Sequence, residues 1–187
     1  MKKLIVILCL VVGLVLTSSN VFADITRGGD KVNVRSKNGL QAPLEADATN
    51  STTTLSDVLG SSESPFAIDL SPSTNCYFNF TVAFQTAATT TGIKLAVNGP
   101  ASPTYVVYET KIPTDAAGSF HVEQCTTWDC GSATSGIDAA NTPRLAHITG
   151  IVSRGASTET LTLRFASEVA GSTVTILKGS YGIIWCW

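Results

Sequence analysis

Cys76-Tyr77-Phe78-Asn79-Phe80-Thr81-Val82-Ala83-Phe84 puts a large apolar side chain at every second position. In an extended chain Cys76, Phe78, Phe80, Val82 and Phe84 share one face, and Tyr77, Asn79, Thr81 and Ala83 share the other. A helix would scatter those five around its circumference, whereas a half-buried strand collects them. The same period recurs further along. Ile93, Leu95 and Val97 alternate with Lys94, Ala96 and Asn98 until Asn98-Gly99-Pro100 breaks the run. Leu161, Leu163 and Phe165 are expected to point inward, with Thr162 and Arg164 outward. Further strands are expected over 66–70, 105–112, 119–124, 145–152, 173–177 and 181–186. No segment has the spacing of an amphipathic helix. Eight to ten short strands separated by Gly, Pro and Asn turns predict an all-β, two-sheet β-sandwich with jelly-roll-like connections, a closed barrel being the alternative. Burying some ten large side chains at about 1.5–3 kcal/mol each makes such a core self-sufficient.

The start of the chain has a different character. Lys2 and Lys3 precede the apolar run Leu4 to Leu16, then polar residues lead to Val21-Phe22-Ala23. That is the layout of a secretory signal peptide cut after Ala23, and the run is shorter than the roughly 20 residues that span a bilayer. The expected organisation is therefore a signal peptide over 1–23, a polar arm over 24–47 that is flexible or an edge strand, and a β-sandwich domain over 48–187. Asn38-Gly39 reads as a turn within the arm, and Gly28-Gly29-Asp30 as a solvated turn. The mature protein is expected to be secreted or periplasmic and free of the membrane.

The leader holds two of the twelve basic residues and none of the fourteen acids, so the mature chain carries a net charge of −4. No stretch is strongly basic, which argues against nucleic acid as a partner. Cys9 leaves with the leader, and Cys76, Cys125, Cys130 and Cys186 remain. An even count in an oxidising compartment reads as two disulfides with three connectivities open. The favoured pairs are Cys125–Cys130, around a short loop, and Cys76–Cys186, tying an early strand to the last one. The competing reading, zinc held by His121, Cys125 and Cys130, lacks a standard ligand spacing. No metal or cofactor is expected.

Catalytic signatures are weak. His121, Glu123 and Cys125 share a strand face, but alternation alone produces such groupings often. Gly131-Ser132-Ala133-Thr134-Ser135-Gly136 does not have the Gly-x-Ser-x-Gly spacing of a nucleophile turn. Glu109, Glu123, Asp129 and Glu168 offer carboxylates without a fixed separation. The chain is read as having no catalytic residues and no enzyme activity, a carboxylate- or His121-dependent hydrolase being the least favoured of three readings. Binding is a better candidate. Trp128 sits inside the Cys125–Cys130 loop, where a fixed ring can stack on a ligand or cover one end of the sandwich, the covering role being the better expectation. Tyr105 and Tyr108 are the sheet-edge aromatics that would join it on sugar. Trp185, alternating with Tyr181 and Ile183, is expected in the core.

Four strings carry a resemblance: STTTLSDV at 51–58, FQTAATTTGIKLAVNGP at 84–100, LRFASEVAGS at 163–172 and GSYGIIW at 179–185. Over about residues 48–185 they resemble a β-rich domain of tailed-phage virion and prophage proteins, of tail-fibre or decoration type. The resemblance implies a sandwich head, trimeric assembly and no enzyme activity. The leader and the four mature cysteines depart from that pattern and point to a phage-type domain redeployed as an exported bacterial protein. The leading expectation is thus a secreted, non-catalytic structural or binding module that self-associates. A carbohydrate-binding, lectin-like module contacting a glycan or cell-surface component is the alternative.

Overall fold

A computed structural model describes residues 38–40, 43–58, 68–70, 75–153 and 159–187. The leader, the Gly28-Gly29-Asp30 turn and the rest of the arm up to residue 37 lie outside the described residues. Among the described residues there is no helix. The strands are β1 (Asn38–Leu40), β2 (Ala48–Asn50), β3 (Ser56–Asp57), β4 (Ile68–Leu70), β5 (Asn75–Thr86), β6 (Ile93–Asn98), β7 (Tyr105–Pro113), β8 (Phe120–Cys125), β9 (Arg144–Ser153), β10 (Glu159–Ser167), β11 (Val174–Ile176) and β12 (Tyr181–Cys186).

They form two antiparallel sheets. In the larger one β5 is central. One side of β5 pairs with β9, which pairs with β7, and β8 forms the edge. The other side pairs with β12 over Cys76 to Thr81 and with β11 over Phe84 to Thr86. Outside these lie β1 against β12 and β2 against β11. In the smaller sheet β10 is central, flanked by β6 and β3, with β4 on its first residues. The chain crosses between sheets after β2, β4, β5, β6, β9 and β10, so neither sheet is complete until residues far apart in sequence have met.

The inner faces share one core. Phe78, Phe80, Val82 and Phe84 from β5 meet Ile93, Leu95 and Val97 from β6 and Leu161, Leu163 and Phe165 from β10, all buried. This is the expected two-sheet sandwich, with the expected faces of β5, β6 and β10 turned inward. Gly150 on β9 lies under the ring layer. A Cβ there would stand 2.4 Å from Tyr108 Cβ and 2.5 Å from Phe78 Cζ, so only glycine lets β9 pass beneath them. Asn50 fastens the sheets at one edge, its Nδ2 donating to Phe165 O at 2.9 Å.

Both favoured bridges form, Cys76–Cys186 and Cys125–Cys130. Cys76 and Cys186 are direct cross-strand partners in the β5–β12 ladder. Two disulfides suit an oxidising compartment. The packed unit reaches back beyond residue 48: Leu44 is in the core, and Asn38-Gly39, expected as a turn, lies within β1.

Candidate binding surface

Edge strands leave backbone groups open to other chains, and sandwiches protect them with loops or charge. Here the segment after β8 turns back along β6, the edge of the smaller sheet. Asp129 N donates to Val97 O at 3.0 Å and Thr134 N to Ile93 O at 3.0 Å, while Ile93 N donates to Thr134 Oγ1. Asp129 takes a left-handed turn, φ 55°. Its Oδ2 accepts from Asn98 Nδ2 at 2.7 Å and from Arg164 Nη1 at 2.6 Å. Arg164 also faces Asp57, with Nε 3.0 Å from Oδ1, in an ionic contact too poorly aligned for a hydrogen bond. The Cys125–Cys130 loop is therefore a seal over the side of the sandwich.

Trp128 lies in that seal. Its Nε1 donates to Pro100 O at 2.7 Å, and its ring lies flush on Gly99, where a Cβ would come within 2.7 Å of Cζ2. The ring packs against the core on one side, and its other side helps to line a groove of about 430 Å³. Pro103, Thr104, Tyr105, Val106, Val107, Thr126 and Thr127 complete the lining, which holds no charged side chain. Tyr105 is 48% exposed and stands at this groove.

Tyr108 does not join it. The side chain is 1% exposed, packed at a tilt against Phe78 at 6.3 Å between ring centroids, with its hydroxyl donating to Cys130 O at 3.3 Å. Residues three apart on one strand face opposite ways, so Tyr105 and Tyr108 cannot share a surface. Burial pushes the Tyr108 pKa up to about 12.

Trp185 is the second correction, being 44% exposed instead of buried. The cross-strand partners Trp185, Tyr77, Ile151 and Val107 form a row over four strands on the outer face of the larger sheet. Trp185 and Tyr77 rings are 5.7 Å apart, and Ile151 and Val107 are 39% and 47% exposed. The neighbouring row runs from Trp187, bonded in both directions to the Asn75 backbone, through Ser153 to Tyr105. Among the described residues, no charged side chain stands in either row. The row on the other side turns polar, with Asn79 Nδ2 donating to Thr149 Oγ1 at 2.7 Å. An apolar band thus crosses one end of the outer face and runs, through Tyr105 and Val107, into the Trp128 groove. Nothing in the alternation of Tyr181, Ile183 and Trp185 alone announced it.

The acid and histidine candidates sit elsewhere. Ser132 N and Oγ both donate to Glu123 Oε2, at 2.6 and 2.8 Å, and Ser132 Oγ lies 3.2 Å from His121 Nε2. The residue types are those of a Ser–His–acid triad, but the wiring differs. In a triad the acid holds the far ring nitrogen, and histidine alone receives the serine proton. Here Glu123 takes the serine hydrogen bond itself and lies 3.6 Å from the same Nε2. The Ser132 N–H, with its hydroxyl, holds the Glu123 carboxyl below the usual range. The arrangement caps the loop after Cys130. Glu168 accepts from Gly92 N at 3.1 Å, and Asp129 is paired with Arg164, so these acids too have structural partners. No family model matches the chain, and no curated protein matches it.

Proposed function

We propose that this chain is an exported, non-catalytic contact module of phage-virion-domain type, which assembles with further copies of itself through the outer face of its larger sheet. The observation that carries the reading is the uncharged band of Trp185, Tyr77, Ile151 and Val107, continued by Tyr105. Such a contiguous apolar patch marks an interaction surface, and like faces without charge meet without repulsion. The trimeric habit of the resembling phage domains points the same way. Export is supported by the leader at 1–23 together with the two disulfides. The test is solution mass across a dilution series of mature protein: a concentration-dependent oligomer is expected, and Trp185→Ser with Ile151→Ser should leave a folded monomer. A wild-type monomer at all concentrations defeats the reading. Processing is checked by N-terminal sequencing, with Asp24 expected first and no free thiol.

One observation favours a second reading, a glycan ligand. Tyr105 and the fixed Trp128 ring offer apolar walls, and Thr104, Thr126 and Thr127 offer hydroxyls, which suits the apolar face and hydroxyl rim of a neutral pyranose. A glycan array with wild-type protein and Tyr105→Ala decides it. Binding lost in the variant supports this reading, and no binding by the wild type removes it.

A further inference from the structure

Residues 121, 123 and 125 alternate onto one face of β8, and the loop returns Cys130 to the same place. One ligand atom each from Glu123, Cys125 and Cys130 lies within 4.8 Å of the others. His121 Nε2 is 3.6 Å from Glu123 Oε2. We propose that this corner is a thiol-gated metal site: with Cys125–Cys130 reduced, the two thiolates, the Glu123 carboxylate and the His121 imidazole hold a zinc-class divalent cation.

The chemistry of the donor set selects the ion. Two sulfurs, a nitrogen and an oxygen are the donors that zinc takes in four-coordinate sites, with bonds of about 2.0–2.3 Å. Tetrahedral geometry then sets neighbouring donors about 3.3–3.8 Å apart. Glu123, Cys125 and Cys130 have donor atoms within 4.8 Å of one another, and His121, outside that group, meets Glu123 at 3.6 Å from the same strand face. Hard cations such as magnesium and calcium would leave the sulfurs unused. Ser132 supplies the outer support, because both of its donors converge on Glu123 Oε2 and fix the carboxylate on the strand face.

In the oxidised protein each sulfur is bonded to the other, so the disulfide and the metal exclude one another. Cys125 is fully buried and Cys130 only partly, so an incoming thiolate meets Cys130 Sγ. A dithiol reductant attacks there, forming a mixed disulfide with Cys130 and releasing Cys125 as thiolate. The reductant's second thiol then attacks its own bonded sulfur and releases Cys130, leaving a cyclic disulfide. Two electrons have moved from reductant to protein, and binding of the ion displaces the protons that the thiols carry. The loop bearing Trp128 and Asp129 is stapled in either medium, by sulfur–sulfur bonding or by the ion. This inference does not depend on the contact-module reading.

The test uses full-length mature protein, reduced with a dithiol, freed of reductant without air and titrated with cobalt(II). The reduced wild type should take up one ion per chain, with a sulfur-to-cobalt charge-transfer band and the visible bands of a tetrahedral site, both removed by zinc. The oxidised protein should show neither. Cys125→Ser with Cys130→Ser should abolish the sulfur band although Cys76 and Cys186 remain reducible. Glu123→Gln and His121→Gln, which keep the bridge and the fold, should each weaken binding at least about tenfold, a loss that even an outer-shell partner can cause. A reduced wild type that shows no band, a band that survives loss of Cys125 and Cys130, or affinity unchanged in either the Glu123 or the His121 variant overturns the proposal.

Discussion

The two faces of the larger sheet are built from neighbouring residues and behave in opposite ways. On β5, Phe78 and Phe80 are sealed in the core while Tyr77, next to Phe78, and Trp185 beside it look outward. On β9, Ile148 and Val152 are buried and Ile151 is not. Each inward side chain contributes about 1.5–3 kcal/mol by leaving water, and each outward one leaves that term unrealised in the isolated chain. The inner face accounts for folding. The outer band is apolar surface left exposed in the single chain.

That contrast can be tested by substitution. Phe78→Ala removes a ring packed on Phe80 and Tyr108. It should cost about 3–5 kcal/mol, and a thermal melt should fall by about 2–4 °C for each of these. Tyr108 comes next, through pH. Its folded pKa of about 12 lies above the ordinary 10, so the folded state holds the proton more tightly. The resulting stability is fully present below pH 10 and is lost as pH rises from 10 to 12, by about 3 kcal/mol at most. Tyr108→Phe should flatten that alkaline decline in denaturant titrations, and an unchanged decline would place its cause elsewhere. Gly150→Ala should cost about 1–3 kcal/mol by overpacking against Tyr108 and Phe78. Trp185→Ser closes the series. Its melting curve should stay within about 0.5 kcal/mol of wild type, while the oligomer weakens. If Trp185→Ser instead melts like Phe78→Ala, the two faces are not distinct.

What could be read in the sequence follows from the same contrast. On β5 the two faces differ in polarity, so alternation gave both the strand and its phase. On β12 both faces are apolar, with Ile183 and Trp185 on one and Ile184 on the other, and alternation gives a strand without a phase. The phase was nevertheless present in a combination. A Cys76–Cys186 bridge puts Cys186 on the face of Phe78, which places Ile184 inside and forces Trp185 out. The bridge and a core Trp185 were incompatible expectations. Tyr105 and Tyr108 carried their own correction in their odd separation. The approach of Ser132 to His121 and Glu123 had no such signal, since it depends on where a loop of irregular backbone returns.

The central place of β5 also sets a timetable. Its partners β9, β11 and β12 lie downstream, and the Cys76–Cys186 bridge spans 110 residues. A ribosome adds about 5–20 residues each second, so β5 waits roughly 5–20 s between its own emergence and that of β12. Until β9 has been made both edges of this aromatic strand lack their partners, and the edge that takes β12 lacks its partner throughout the interval. An unpaired strand of this kind is open to pairing with other chains until its own partners arrive. The late arrival of Tyr181 to Cys186 thus works as a latch on folding, which closes only after the rest of the domain has been delivered.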